Sequence, residues 1–150
     1  MTVNRRSRAR SAARLAAVQA LYQQQMERVP LARLLDEFHQ HRLGAEIEGV
    51  QLAEPEVAFF DDIVRGVDAR RDEIDLLLSA RLSENWTLAR LDKTMLQILR
   101  AGTYELLARA DVTKATAISE YVDVAKAFFD DREAKFVNGV LDAVAKEVGR

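Results

Sequence analysis

The stretch KFVNGVLDAV, residues 135–144, decides the fold class of this 150-residue chain, because two signals within it conflict. The dipeptide Asn138-Gly139 between apolar residues is a strong signal for a β-hairpin. The apolar residues around it nevertheless recur at steps of three and four, which is the period of a helix. We therefore predict a helix with Gly139 inside it. A helical glycine costs about 1 kcal/mol relative to alanine, which indicates that another helix approaches too closely for a Cβ.

The same spacing extends through the rest of the chain and predicts about seven helices. Only six glycines and two prolines interrupt the sequence, and its many alanines and leucines favour helix. Helix one is predicted over about 7–28 and helix five over about 92–109. Residues 41–54 are predicted to form a loop, and a polar segment at 68–72 marks a boundary. The predicted fold is all-α, divided near residue 70 into two small packed helical subdomains.

Basic residues are concentrated at the start of the chain. Five arginines precede the first acidic residue, Glu27, and the remaining chain has 17 basic against 24 acidic residues. These five are Arg5, Arg6, Arg8, Arg10 and Arg14. A basic arm on an acidic body indicates an anionic partner, most often nucleic acid or an acidic membrane surface. A solvated terminus without a partner is the alternative.

Three of these arginines form a row along the predicted first helix. Arg6, Arg10 and Arg14 are spaced at i, i+4 and i+8, so the row is about 12 Å long and can span two phosphates. Tyr22 lies two turns further on and could stack on a base, but the spacing of the apolar residues favours a core position for it. The predicted apolar stripe consists of Leu15, Val18, Tyr22 and Met26.

Few features of the sequence indicate a catalytic site, a metal site or a membrane-spanning segment. The absence of cysteine excludes disulfides, thiolate catalysis and Cys-ligated metals, and is compatible with a reducing compartment. No uncharged apolar run reaches membrane-spanning length, so no membrane association is expected. His39 and His41 point about 200° apart on a helix and cannot chelate a metal together. The adjacent carboxylates at 61–62 and 130–131 also diverge, and no Gly-rich phosphate loop is present, so we expect no catalytic site and no cofactor.

Six segments occur in an order that resembles the NusB family of bacterial transcription antitermination factors. Each segment alone is weak, whereas the ordered set spans nearly the whole chain and is specific. The segments are RLAAVQALYQ (14–23), ILR (98–100), YEL (104–106), ISE (118–120), VAK (124–126) and KFVNGVLD (135–142). The resemblance implies one RNA-binding domain, with subdomains at about 1–70 and 71–150, in a cytoplasmic protein that is not an enzyme.

The same resemblance implies partners and a binding site. The partners are boxA single-stranded RNA, the small-subunit ribosomal protein NusE, and the RNA polymerase antitermination complex that supports ribosomal RNA synthesis. Arg10, Arg14 and Tyr22 correspond by position to the basic RNA surface on the family's first helix. The extension of that surface in the C-terminal half corresponds to Arg100, Lys135 and Phe136. Three of these six have a structural alternative: the core position already given for Tyr22, a core position for Phe136, and for Arg100 a salt bridge to a carboxylate such as Glu105.

Several alternatives stay open at this point. The same helical fold serves as the RNA-binding part of ribosomal RNA cytosine methyltransferases, so the chain could be such a domain detached from its enzyme. A helical adaptor without RNA affinity is a third reading, and both a monomer and a homodimer that covers the RNA face fit the family. The NusE surface is expected on the acidic C-terminal subdomain. Phe129, where the family often has glycine, and the charged segment 130–133 depart from the family pattern.

Overall fold

Seven α-helices make up most of the chain that the structure describes. The structure is a computed structural model, and it describes residues 5–41, 43, 54–83 and 86–148. Over these residues no strand is present, so the all-α prediction is confirmed. The helices are α1 (Arg5–Glu27), α2 (Leu31–His41), α3 (Glu54–Ala69), α4 (Arg71–Ser79), α5 (Lys93–Ala108), α6 (Lys114–Phe128) and α7 (Asp131–Glu147), with a short 3₁₀ helix (Leu88–Arg90) before α5. Most of the loop predicted at 41–54 lies outside the described residues.

The dipeptide at 138–139 lies inside α7, so the helical period outweighed the hairpin signal as predicted. The reason given for Gly139 was wrong, however. A Cβ at this position would have no heavy atom within 4 Å, and the residue is exposed. Among the described residues, none packs against this position closely enough to exclude a Cβ.

Close packing instead explains two other glycines of the chain. A Cβ on Gly66 would overlap the ring of Tyr104, and a Cβ on Gly102 would lie 2.8 Å from Cδ1 of Leu141. Neither position can therefore carry a larger side chain without displacing its neighbour. Both glycines lie in helices, α3 and α5, where the missing Cβ lets packed side chains approach the helix axis.

The chain divides into two compact units, Met1–Arg65 and Gly66–Arg150, and their boundary falls inside α3. Unit 1 has a core of fully buried side chains, in which the rings of Phe38 and Phe60 stack with centroids 5.6 Å apart. Within the described ranges, no helix offers the apolar length that a bilayer-spanning segment requires.

The buried face of α1 differs from the predicted stripe. Only Val18 of that stripe is buried, Leu15 is half-buried, and Tyr22 and Met26 are exposed. Alanines occupy most of the buried positions instead, because their small side chains allow a neighbouring segment to lie close against the helix. The buried alanines of α1 are Ala9, Ala12, Ala13, Ala16, Ala17 and Ala20.

Unit 2 is organised around α5, which contacts α4, α6 and α7 and is buried along most of its length. The side chain of Asp92 accepts hydrogen bonds from the backbone N–H groups of Thr94 and Met95, and this cap fixes where α5 begins. Thr113 caps α6 in the same way. Thr87 precedes the 3₁₀ helix, but its side chain forms no capping hydrogen bond with it.

Candidate nucleic-acid interface

Arg10 and Arg14 lie one turn apart on α1 and share an aromatic partner in unit 1. The guanidinium carbon Cζ of Arg10 is 4.4 Å from the centroid of the Phe59 ring, and that of Arg14 is 5.0 Å from it. Both distances are within the range of cation–π attraction. The i, i+4 spacing therefore does bring the two arginines together, but it brings them onto a ring of α3.

Burial separates the roles of these two arginines. Arg14 is only 2% exposed, whereas Arg10 is half-buried and retains solvent-accessible surface. A guanidinium as buried as that of Arg14 contributes to packing and holds its neighbours in place. Arg8 is exposed on the same helix. Of the five N-terminal arginines, the structure describes the side chains of these three.

The contact of Phe59 with the two arginines was not predicted from the sequence. One signal was available, because Phe59 and Phe60 are adjacent and therefore point about 100° apart on a helix. Both rings are buried. Since only one of them can occupy the centre of the apolar stripe, the other had to face a different element.

Tyr22 is 39% exposed, which corrects the core position favoured by the apolar spacing. It lies on the solvent-facing side of α1, opposite the alanine face, so its ring is accessible for stacking. This exposed or half-buried side of the helix consists of Arg8, Ser11, Leu15, Gln19, Tyr22 and Met26.

Arg100 in unit 2 forms the salt bridge that was its structural alternative, although with a different partner. Its Nε and Nη2 donate to the two carboxylate oxygens of Asp75 on α4, each at 2.9 Å. The Arg100 side chain is 12% exposed and that of Asp75 is 25% exposed. The suggested partner, Glu105, is fully buried elsewhere in α5. A bidentate, part-buried pair of this kind holds the guanidinium in one orientation.

Lys135 and Phe136 are consecutive residues of α7. Lys135 is exposed, and Phe136 is half-buried and outside the fully buried core. The Phe136 ring lies 6.5 Å from the ring of Trp86, with an angle of 49° between the planes. Trp86 is 53% exposed. The pairing of Trp86 with Phe136 was not predicted from the sequence.

Other polar pairs in the described part of the chain are His39 with Asp61 and Arg70 with Glu73. His39 Nε2 lies 2.6 Å from Asp61 Oδ1, and the described residues contain no cluster of three or more metal-ligating side chains. One clear pKa shift of an acid occurs at the start of α4, where a hydrogen bond from Arg70 lowers the pKa of Glu73. Both groups of that pair are on the surface, where such bridges stabilise a fold only slightly.

Solved structures share this fold. NusB of T. maritima matches with a TM-score of 0.80 and 30% identity, over 100% of this chain and 96% of that one. A chain from the crystal structure of the antitermination factors NusB and NusE in complex with dsRNA matches with a TM-score of 0.79 and 24% identity, over 93% of this chain and 98% of that one. At 24% identity, the second match shows only that the two chains share a fold.

Sequence relatives give the family. The transcription antitermination protein NusB of Novosphingobium aromaticivorans is 74% identical over 141 residues, which cover 94% of this chain and 95% of the relative. The protein of the same name from Sphingopyxis alaskensis is 64% identical, with 97% and 98% covered. The model of the NusB family matches residues 11–146. The chain therefore belongs to the NusB family.

Proposed function

We propose that this transcription antitermination factor binds boxA single-stranded RNA together with NusE. The observation that carries the proposal is the exposed ring of Tyr22 on the helix that also holds Arg10 at the protein surface. Recognition of single-stranded RNA combines cations for the phosphates with aromatic faces for unstacked bases. Membership of the family supports a binding protein rather than an enzyme. A solved structure of the same fold contains NusB with NusE and dsRNA, which favours NusE and an RNA as the partners to test.

Each of the six candidate residues has a role in this proposal. Tyr22 and Phe136 stack on bases, and Arg10 and Lys135 contact phosphates. Arg14 acts through Phe59, holding the ring on which the Arg10 guanidinium lies. In unit 2, Arg100 donates hydrogen bonds to the RNA through the guanidinium N–H groups that are not bonded to Asp75.

The wider setting is also a proposal. We infer one cytoplasmic RNA-binding domain made of the two helical subdomains, which joins the RNA polymerase antitermination complex and supports ribosomal RNA synthesis. Curated relatives matched over 95% and 98% of their length are antitermination proteins, which favours this function over a domain detached from a methyltransferase. A homodimer that covers the RNA face would serve as a stored form of the same protein.

Adding NusE is expected to raise the affinity for boxA RNA at least fivefold, because two ligands that stabilise each other's bound state are linked reciprocally. The measurement is a titration of labelled single-stranded boxA RNA with the protein, with and without saturating NusE. A duplex of the same sequence serves as competitor and should compete weakly. Equal affinity with and without NusE would contradict the proposed partnership.

Arg10→Ala is expected to weaken RNA binding and to lower the salt dependence of log K by about 0.7, the contribution of one single-strand phosphate contact. The matched control is Lys146→Ala, which removes the same charge from an exposed position near the end of α7. Its salt slope should equal that of the parent. If both variants changed the slope equally, Arg10 would act only through net charge.

A further inference from the structure

We propose that Trp86 and Phe136 form a base-binding platform in unit 2, on which one nucleobase of single-stranded RNA stacks. The inference rests on the proposed function and adds a residue, Trp86, to its site. The two rings lie 6.5 Å apart and are tilted by 49°. Because they are not stacked on each other, neither ring covers the face of the other, and Trp86 keeps 53% of its surface exposed.

A structural role alone does not explain this placement of Trp86. Tryptophan is usually well buried, since its large apolar area stabilises a fold when it is removed from water. Here the residue lies two positions before the 3₁₀ helix, and its backbone N–H donates to the Ser83 carbonyl at 2.9 Å. That bond and the contact with Phe136 hold the indole at the surface before any ligand arrives, which lowers the entropic cost of binding.

The charges around the platform identify the occupant as a polyanion with aromatic rings. Arg132, Lys135, Phe136 and Gly139 are spaced at i, i+3, i+4 and i+7, so they share one face of α7. Arg132 and Lys135 are both exposed on that face. Asp131 is exposed one turn before Lys135, and Glu133, three residues before Phe136, is half-buried, so both acids border this face. Cations beside an aromatic pair with one exposed ring fit the phosphates and bases of single-stranded RNA.

Gly139 supports the same occupant. A Cβ there would meet no heavy atom within 4 Å, so packing within the chain does not require glycine. Glycine in an exposed helix interior lowers stability, because it has more conformational freedom to lose than alanine. One turn from Phe136, the missing Cβ leaves a smooth helix surface that an RNA backbone can approach closely.

The chain has one tryptophan, so Trp86 reports on its own environment. Titrating the protein with short single-stranded boxA RNA should quench the indole emission, saturating at the same RNA concentration as fluorescence anisotropy of labelled RNA. Trp86→Leu is expected to bind this RNA at least fivefold more weakly, the lower end of one lost stacking contact. Trp86→Phe, which keeps a ring, should bind nearly as well as the parent. Leu76→Ala, an exposed apolar residue of α4, is the matched control and should leave binding unchanged.

Gly139→Ala tests the platform without removing a ring. It is expected to raise the melting temperature and to weaken RNA binding, a combination that damage to the fold cannot produce. Unchanged emission on RNA binding, together with parent-like affinity of Trp86→Leu, would overturn this inference while leaving the proposed function standing if Tyr22 and Arg10 variants still lost affinity. An emission change with NusE alone but not with RNA would assign the platform to the protein partner and overturn it as well. Failure of the parent protein to bind RNA, with or without NusE, would overturn both.

Discussion

Phe59→Ala is expected to lower the free energy of unfolding by about 3–5 kcal/mol, as removal of a buried aromatic side chain usually does. Phe59 is 2% exposed, and its ring lies against the guanidinium groups of both Arg10 and Arg14. The variant loses apolar burial and two cation–π contacts at once. Urea denaturation followed by circular dichroism measures the loss, and RNA titration should show weaker binding because Arg10 is no longer held in place.

Phe59→Leu separates packing from the cation–π contacts. Leucine retains most of the apolar volume, so its packing cost should stay below about 1.5 kcal/mol. Loss of each cation–π contact adds about 0.5–2 kcal/mol, with the larger value expected for the more buried Arg14. A double-mutant cycle between Phe59→Leu and Arg14→Ala should therefore show a coupling energy. If Phe59→Leu kept the stability and the RNA affinity of the parent, the ring would serve packing alone.

Helix positions could be predicted from the sequence because they depend on local periodicity. In α7 five apolar residues follow the helical period, which is more information than the single dipeptide at 138–139 carries. In α1 the same reasoning selected the wrong face. Alanine counts weakly in an apolar pattern, yet six alanines are buried there because close packing favours small side chains. Which face of α1 is buried depends on how its side chains fit the segment that packs against it, and the sequence of the helix alone does not contain that information.

The candidate site was predictable only where it depends on spacing within one helix. The spacing of Arg10 and Arg14 placed them side by side, but the ring of Phe59 comes from another helix. The pairing of Arg100 with Asp75 crosses from α5 to α4, and that of Phe136 with Trp86 crosses from α7 to the segment before the 3₁₀ helix. Contacts between distant segments depend on tertiary packing, which periodicity does not encode.

The glycines of the chain also show what cannot be predicted from the sequence alone. The sequence gives no means of telling a glycine required by packing from one that faces open space. The structure makes this distinction, since a Cβ at Gly66 or Gly102 would meet a neighbouring side chain and one at Gly139 would not. Glycine at position 139 lowers helix stability without being required by packing, which is why we relate it to the binding of a partner.

Tyr22→Ala is expected to weaken binding of boxA RNA by about 1–3 kcal/mol, or roughly 5- to 150-fold, through loss of one stacked base. The salt dependence of binding should hardly change, because no phosphate contact is removed. Tyr22 is 39% exposed and lies on the solvent side of α1, so the stability of unit 1 should fall little. RNA titrations across a salt series, with urea denaturation of the same samples, measure the three quantities together.

Two variants distinguish stacking from packing at this position. Tyr22→Phe keeps the ring and should retain most of the affinity, whereas Met26→Ala removes an exposed apolar side chain one turn away and should change neither affinity nor stability. A loss of stability in Tyr22→Ala without a loss of affinity would place the ring in the fold rather than in the site. A parallel loss in Met26→Ala would mean that the whole exposed side of α1 binds a partner by apolar contact. A loss of RNA affinity in Tyr22→Ala alone, with an unchanged salt slope, would show that a base stacks on the Tyr22 ring.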